Sequence, residues 1–190
     1  MCRCVTILAL IALSGCAHLV GNTKITDPLL PDTANLPCCW QALEQLEIEF
    51  QGEKLSLFSV TAVHNNKLTV VILDPLGRRV FTIIQQGSNI EIEKSARIQK
   101  DFPAKWLLIG IYLRNMPDSG WSFEHSNWIV KRDVNYVLLE QDKRERVILT
   151  EAVVQESITS NTTRQELTAQ LQYPDLNLKV IITTLSRHSL

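Results

Sequence analysis

Three consecutive segments that read as β-strands are apolar on both faces, and that pattern limits the fold more than any other feature of the chain. In Leu55 to His64, Leu55, Leu57 and Val63 fall on one face, and Phe58, Val60 and Ala62 on the other. In Leu68 to Leu73, Leu68, Val70 and Ile72 oppose Val71 and Leu73; in Arg79 to Gln86, Val80 and Ile84 oppose Phe81 and Ile83. An antiparallel sheet with one wet face alternates apolar and polar residues, so here the second face also needs cover. The turns Asp74-Pro75-Leu76-Gly77 and Gly87-Ser88-Asn89 join these segments to one another and to Ile90–Glu93, which spells an antiparallel meander.

Further strands are expected at Val134 to Glu140 and Arg146 to Thr150, a hairpin across Asp142-Lys143, and at Leu167 to Tyr173 and Leu176 to Thr184, joined by Pro174-Asp175. Helical signals are few. Leu36, Trp40 and Leu43 recur at i, i+4, i+7, one face of a short helix. Pro103 to Met116 carries Trp106, Leu107, Leu108, Ile109, Ile111 and Leu113, apolar on almost every side, as in a buried helix or lid. Two short helices leave part of the second sheet face uncovered. Either an apolar cavity for a greasy ligand takes up that face, or the sheet curves and fills its interior with its own side chains. The expected class is mainly β with a few helices.

At 190 residues the chain has the length of one ordinary domain. Apolar residues make up 45%, which excludes general disorder. The formal net charge of −1 offers no basic excess for a nucleic-acid partner. Lys143 to Arg146 reads as a solvated hairpin tip.

The N-terminus has the layout of a signal peptide: one cation at Arg3, an apolar run Val5 to Leu13, then small residues. That run is far short of the ~20 residues that span a bilayer as a helix. Leu13-Ser14-Gly15-Cys16 resembles the lipobox of bacterial lipoproteins at each of its four positions. The resemblance implies cleavage after Gly15 and acylation of Cys16. Residues 1–15 are then a signal peptide, 16–35 a lipidated N-terminus and tether broken by Asp27-Pro28 and Pro31-Asp32, and 36–190 the folded domain. Two or three acyl chains suffice for stable anchoring. Ala17 stands where an aspartate signals inner-membrane retention, so the resemblance implies the outer membrane, periplasmic face.

Chemistry is sparse. His18, His64, His125 and His188 have no metal-ligand spacing, and no GxSxG, P-loop or GxGxxG is present. Glu91 and Glu93 share a strand face but read as a solvated pair opposite Ile90 and Ile92. The sequon at Asn161 has no meaning in a bacterial lipoprotein. Catalytic residues, metal ligands and cofactors are none, and the expectation is a protein that is not an enzyme. Of five cysteines, Cys38 and Cys39 remain after processing and lipidation. They are read as reduced thiols or, in an oxidising compartment, as one side of an intermolecular bridge. A bridge between neighbours is disfavoured by their 3.8 Å spacing across a trans peptide.

The stretch Leu68 to Ile83, an apolar strand, Asp74-Pro75-Leu76-Gly77, then a second strand, resembles the strand–loop–strand of the outer-membrane lipoprotein receptor LolB, with Asp74 in place of that family's Asn. Trp106-Leu107-Leu108-Ile109-Gly110 is similar to its Trp-Ile-Leu-Gly helix. Over residues 40–185 the chain resembles uncharacterised bacterial lipoproteins allied to LolB, some associated with aryl-polyene gene clusters. Asp118 to Lys131, with Trp121, Phe123 and Trp128, does not map onto that pattern. The resemblance implies a LolA/LolB-like, incomplete curved antiparallel β-barrel with a helical lid. Its interior would be an apolar cavity, with Leu57, Phe58, Val60, Val71, Leu73, Phe81, Ile83, Trp106, Leu107 and Ile111 as candidate lining. Leu76 matches the residue that protrudes and assists membrane insertion; alternatively it folds back into the core. Arg78 and Arg79 are placed to meet anionic lipid headgroups.

The expected function is therefore an anchored lipoprotein that binds an amphiphile (an acyl chain, a lipoprotein or an aryl-polyene lipid) and aids its delivery to the membrane. Its expected partners are membrane lipid through Cys16, a hydrophobic or lipidated ligand, and a periplasmic carrier protein. The alternative is a non-catalytic structural or interaction lipoprotein of an envelope complex.

Overall fold

The computed structural model describes residues 28–95, 102–117, 127–155 and 165–190. The strands are β1 (Trp40–Phe50), β2 (Glu53–His64), β3 (Lys67–Leu73), β4 (Arg79–Gln86), β5 (Asn89–Lys94), β6 (Trp128–Arg132), β7 (Val137–Gln141), β8 (Arg144–Gln155), β9 (Gln165–Tyr173) and β10 (Leu178–Ser189), with helix α1 (Ala104–Asn115) between β5 and β6. Among the described residues they form one antiparallel sheet in the order β5-β4-β3-β2-β1-β10-β9-β8-β7-β6. Two meanders of five strands are thus joined where β1 pairs with β10, from Trp40 opposite Ser189 to Phe50 opposite Leu178. The sheet is strongly curved but does not close into a barrel, as the sequence implied.

Register shifts at Leu43/Glu44, Ile72/Leu73 and Leu139/Glu140 add bend and twist to the sheet. The concave face holds the core. Along β1 the inward row is Trp40, Ala42, Glu44, Leu46, Ile48 and Phe50. The helix expected over Leu36 to Leu43 is not formed: a 3-10 turn at Thr33–Asn35 leads into β1. The helical spacing of Leu36, Trp40 and Leu43 misleads because Leu43 belongs to the outward row.

Helix α1 lies within the curve. Nine of its twelve residues are buried, so it has no wet face, and it is a core element more than a lid. Gly110 permits the closest approach: a Cβ there would collide with Leu171 of β9. The Tyr173 hydroxyl donates to the Trp106 carbonyl at 3.0 Å, and the Trp106 ring packs edge-on against Tyr173. Burial pushes the Tyr173 and Tyr112 hydroxyls well above the ordinary tyrosine pKa.

The turns divide between two rims, because neighbouring strands run antiparallel. Turns β1–β2, β3–β4, β7–β8 and β9–β10 lie on one rim; turns β2–β3, β4–β5 and β6–β7 lie on the other. The expected tether, 16–35, is docked onto this second rim from Pro28 onward. Pro28 and Pro31 are buried. Thr33 Oγ1 donates to the Asn66 carbonyl and accepts from the Gly87 amide, and Gln85 Nε2 donates to the Pro31 carbonyl at 2.8 Å. Cys38 and Cys39, expected as thiols, form a vicinal disulfide; their peptide is cis, which brings the Cα atoms to 3.1 Å.

Candidate functional site

The β3–β4 turn is built around one carboxylate. Asp74 Oδ1 accepts from the Leu76 and Arg78 amides, both at 2.9 Å, and Oδ2 from Arg78 Nε at 2.6 Å. The Asp74 carbonyl accepts from the Gly77 amide, and the Asp74 amide donates to the Arg78 carbonyl. Gly77 takes φ +75°, which a side chain disfavours. The Arg78 amide, aided by the Arg78 guanidinium and the Leu76 amide, holds the Asp74 carboxyl below the usual aspartate value. The tightly bonded turn projects Leu76, which is 76% exposed. It does not fold back into the core.

Beside this tip a cleft of ≈ 420 Å³ opens on the same rim. Its apolar lining is Phe50, Leu55, Leu57, Val80, Phe81 and Phe102, with Asp74, Arg78, Arg79, Glu53 and Ser95 among the polar residues around it. Phe102 packs against Phe50 and Phe81 at ring-centroid distances of 5.8 and 5.7 Å. Two cations stand beside Leu76, Arg78 with a half-buried carboxylate partner and Arg79 with an exposed one. Arg78 pairs with Asp74 at 2.6 Å and Arg79 with Glu93 at 2.5 Å.

The expected lining residues separate into three groups. Leu57 and Phe81 line the cleft. Ile83, Trp106, Leu107 and Ile111 are packed into the core. Phe58, Val60, Val71 and Leu73 lie on the other sheet face, half-buried. There they cover one another across strands, Phe58 opposite Leu73 and Val60 opposite Val71. The two-faced apolar pattern of the sequence thus belongs partly to an outer surface. Cys16, His18, His125, Trp121, Phe123 and Asn161 lie outside the described residues.

Sequence reading missed Phe50, Leu55, Val80 and Phe102 as lining. Phe102 had a local signal, an aromatic directly before the proline that opens α1. The others share the cleft only through the fold. A buried ion pair was missed as well, Arg114 of α1 with Glu44 of β1 at 2.6 Å. Among the described residues no three of His, Cys, Asp and Glu come together as a metal site would require, and no helix is long and apolar enough to cross a membrane.

A family model described as a protein of unknown function, DUF3261, matches residues 41–186, from the start of β1 through most of β10. No curated protein matches the chain.

Proposed function

The chain belongs to the DUF3261 family, and from that premise we propose that it is an outer-membrane-anchored, non-catalytic periplasmic lipoprotein that binds an amphiphile in the cleft beside Leu76 and aids its delivery to the membrane. The cleft carries this reading. Its volume falls within the ~300–1,000 Å³ of small-molecule sites, and its walls are largely apolar with polar groups around them. An acyl chain needs such a lining, and a headgroup needs polar groups at the entrance. Arg79 sits in an exposed ion pair with Glu93 that is easily exchanged for an anionic headgroup, and Arg78, held by Asp74 within the turn, adds its positive charge beside it. Leu76, two residues from each of Asp74 and Arg78, would touch the membrane as cargo leaves. The likeness of Leu68 to Ile83 to LolB points the same way, with the lipid on Cys16 as anchor and a periplasmic carrier as donor.

One observation favours a second reading, a structural or interaction lipoprotein of an envelope complex. Helix α1 and its neighbours fill most of the concave face.

Uptake separates the two. Residues 17–190, purified without detergent, should retain lipid in native mass spectrometry and bind a fluorescent fatty acid. Leu55→Trp, at a partly exposed wall of the cleft, should weaken that uptake at least tenfold and leave the fold intact. An empty protein that ignores the probe supports the interaction reading.

A further inference from the structure

Leu76 has a counterpart on the opposite rim. The β6–β7 turn carries Val134, which at 95% exposure is the most exposed of the large hydrophobic residues among those described, and Tyr136, 41% exposed. This tip is also held in place. Asp133 Oδ1 accepts from the Val134 amide at 2.6 Å, and the Asp133 amide donates to the Tyr136 carbonyl at 2.9 Å. Arg132, directly before it, bonds the Leu113 and Met116 carbonyls and so fixes the turn to the end of α1. An aliphatic tip with a tyrosine beside it suits the boundary of a bilayer, where aromatic rings with a polar edge concentrate.

The rim that bears this tip is also the rim onto which residues 28–36 are docked. Residues 17–27 lie between Cys16 and that docked segment. Fully extended, they reach at most about 40 Å. An eleven-residue strand such as β1 is about 36 Å long. Bringing the Leu76 rim to the surface that holds Cys16 therefore uses most of the available length, whereas the Val134 rim needs little of it.

We propose that the Val134–Tyr136 tip rests on the lipid surface that holds the acylated Cys16, so that the cleft and Leu76 face away from that surface. The inference rests on the lipid attachment in the function proposed above. With acyl chains already supplying the anchorage, the tip sets orientation and adds little to binding. Cargo is then received on the side remote from the membrane, and delivery requires the domain to turn over on its tether.

The test uses the full lipidated chain in vesicles of phosphatidylethanolamine and phosphatidylglycerol, without cargo. An environment-sensitive nitrobenzoxadiazole fluorophore is attached in turn through Val134→Cys and Leu76→Cys, with Cys38 and Cys39 kept in their disulfide. The label at 134 should shift to the blue and be quenched at least twofold by lipids carrying a nitroxide near the headgroup. The label at 76 should stay unquenched. Both positions are exposed tips, and circular dichroism confirms that each labelled protein is folded. A vesicle-bound protein whose label at 134 behaves as in water overturns the orientation and leaves the cargo function standing. A chain that does not partition with vesicles overturns the lipid attachment and the orientation together.

Discussion

The guanidinium of Arg114, at the end of α1, lies 2.6 Å from the Glu44 carboxylate, and both side chains are almost wholly removed from water. Arg114 also donates to the Thr184 hydroxyl at 3.2 Å. Glu44 lies on β1 and Thr184 on β10, and the two residues pair across the seam between the meanders. One side chain thus holds the helix to both halves of the sheet.

Removing Arg114 leaves Glu44 a buried charge without its ion-pair partner, and removing Glu44 leaves Arg114 only the more distant, partly exposed Glu151 carboxylate at 3.6 Å. Arg114→Met and Glu44→Leu should each lower stability by about 3–5 kcal/mol, and the double substitution should recover a large part of that loss. Urea unfolding of the three variants measures it; additive losses would show that the two groups do not interact.

Gly110 should not tolerate a branched side chain. Gly110→Val forces a Cβ into Leu171, which is only 1% exposed and has little room to move. The expected loss is about 2–3 kcal/mol. Leu171→Ala in the same protein should make the second substitution nearly harmless, which thermal unfolding of the double variant would reveal.

Leu76→Glu should leave the unfolding curve unchanged, because Leu76 touches no core, and should impair transfer of bound cargo to vesicles. Unaltered transfer would remove Leu76 from the delivery step.

The turn beneath Leu76 should respond to acid. The folded Asp74 carboxyl titrates below its unfolded value, so its contribution to the turn is complete above the ordinary aspartate pKa and is lost as pH falls through the folded one. The Leu76 and Arg78 amide resonances should shift together, with a midpoint below 3.8. Asp74→Asn should abolish that shared transition.

Tyr173 and Tyr112 should remain neutral past pH 10, the ordinary tyrosine value. Because their folded pKa values are raised, their stabilising effect is complete below that value and is lost as pH climbs above it. Phenolate absorbance from these two rings should rise only together with loss of near-ultraviolet circular dichroism. Tyr173→Phe, which deletes the bond to the Trp106 carbonyl, should cost about 1 kcal/mol.

The β3–β4 hairpin was legible because its turn is written in local chemistry, whereas the β6–β7 hairpin was not, its turn residues Val134 to Tyr136 reading as the start of a strand. Asp74-Pro75-Leu76-Gly77 supplies a side-chain acceptor, a proline and a glycine at φ +75°. Strand β1 was not legible at its start, and Glu44 is the reason. An inward row that reads Trp40, Ala42, Glu44, Leu46 breaks the apolar alternation by which a strand is recognised, and its justification, Arg114, lies 70 residues further on. The strands with two apolar faces suggested lining for a cavity, yet Val60 and Val71 shelter each other on the outside. Periodicity reports that a side chain seeks apolar company. It does not say whether a helix, a ligand or a neighbouring strand provides it.

The pairing of β1 with β10 has a consequence for how the chain acquires its shape. Strand β1 precedes the other nine described strands and its partner β10 follows them, so the middle of the sheet is assembled from the two described strands that lie furthest apart along the chain. Closing so long a loop is slow, and until it closes the β1 edge is free to pair with another molecule. The two meanders become one sheet only when β10 joins β1.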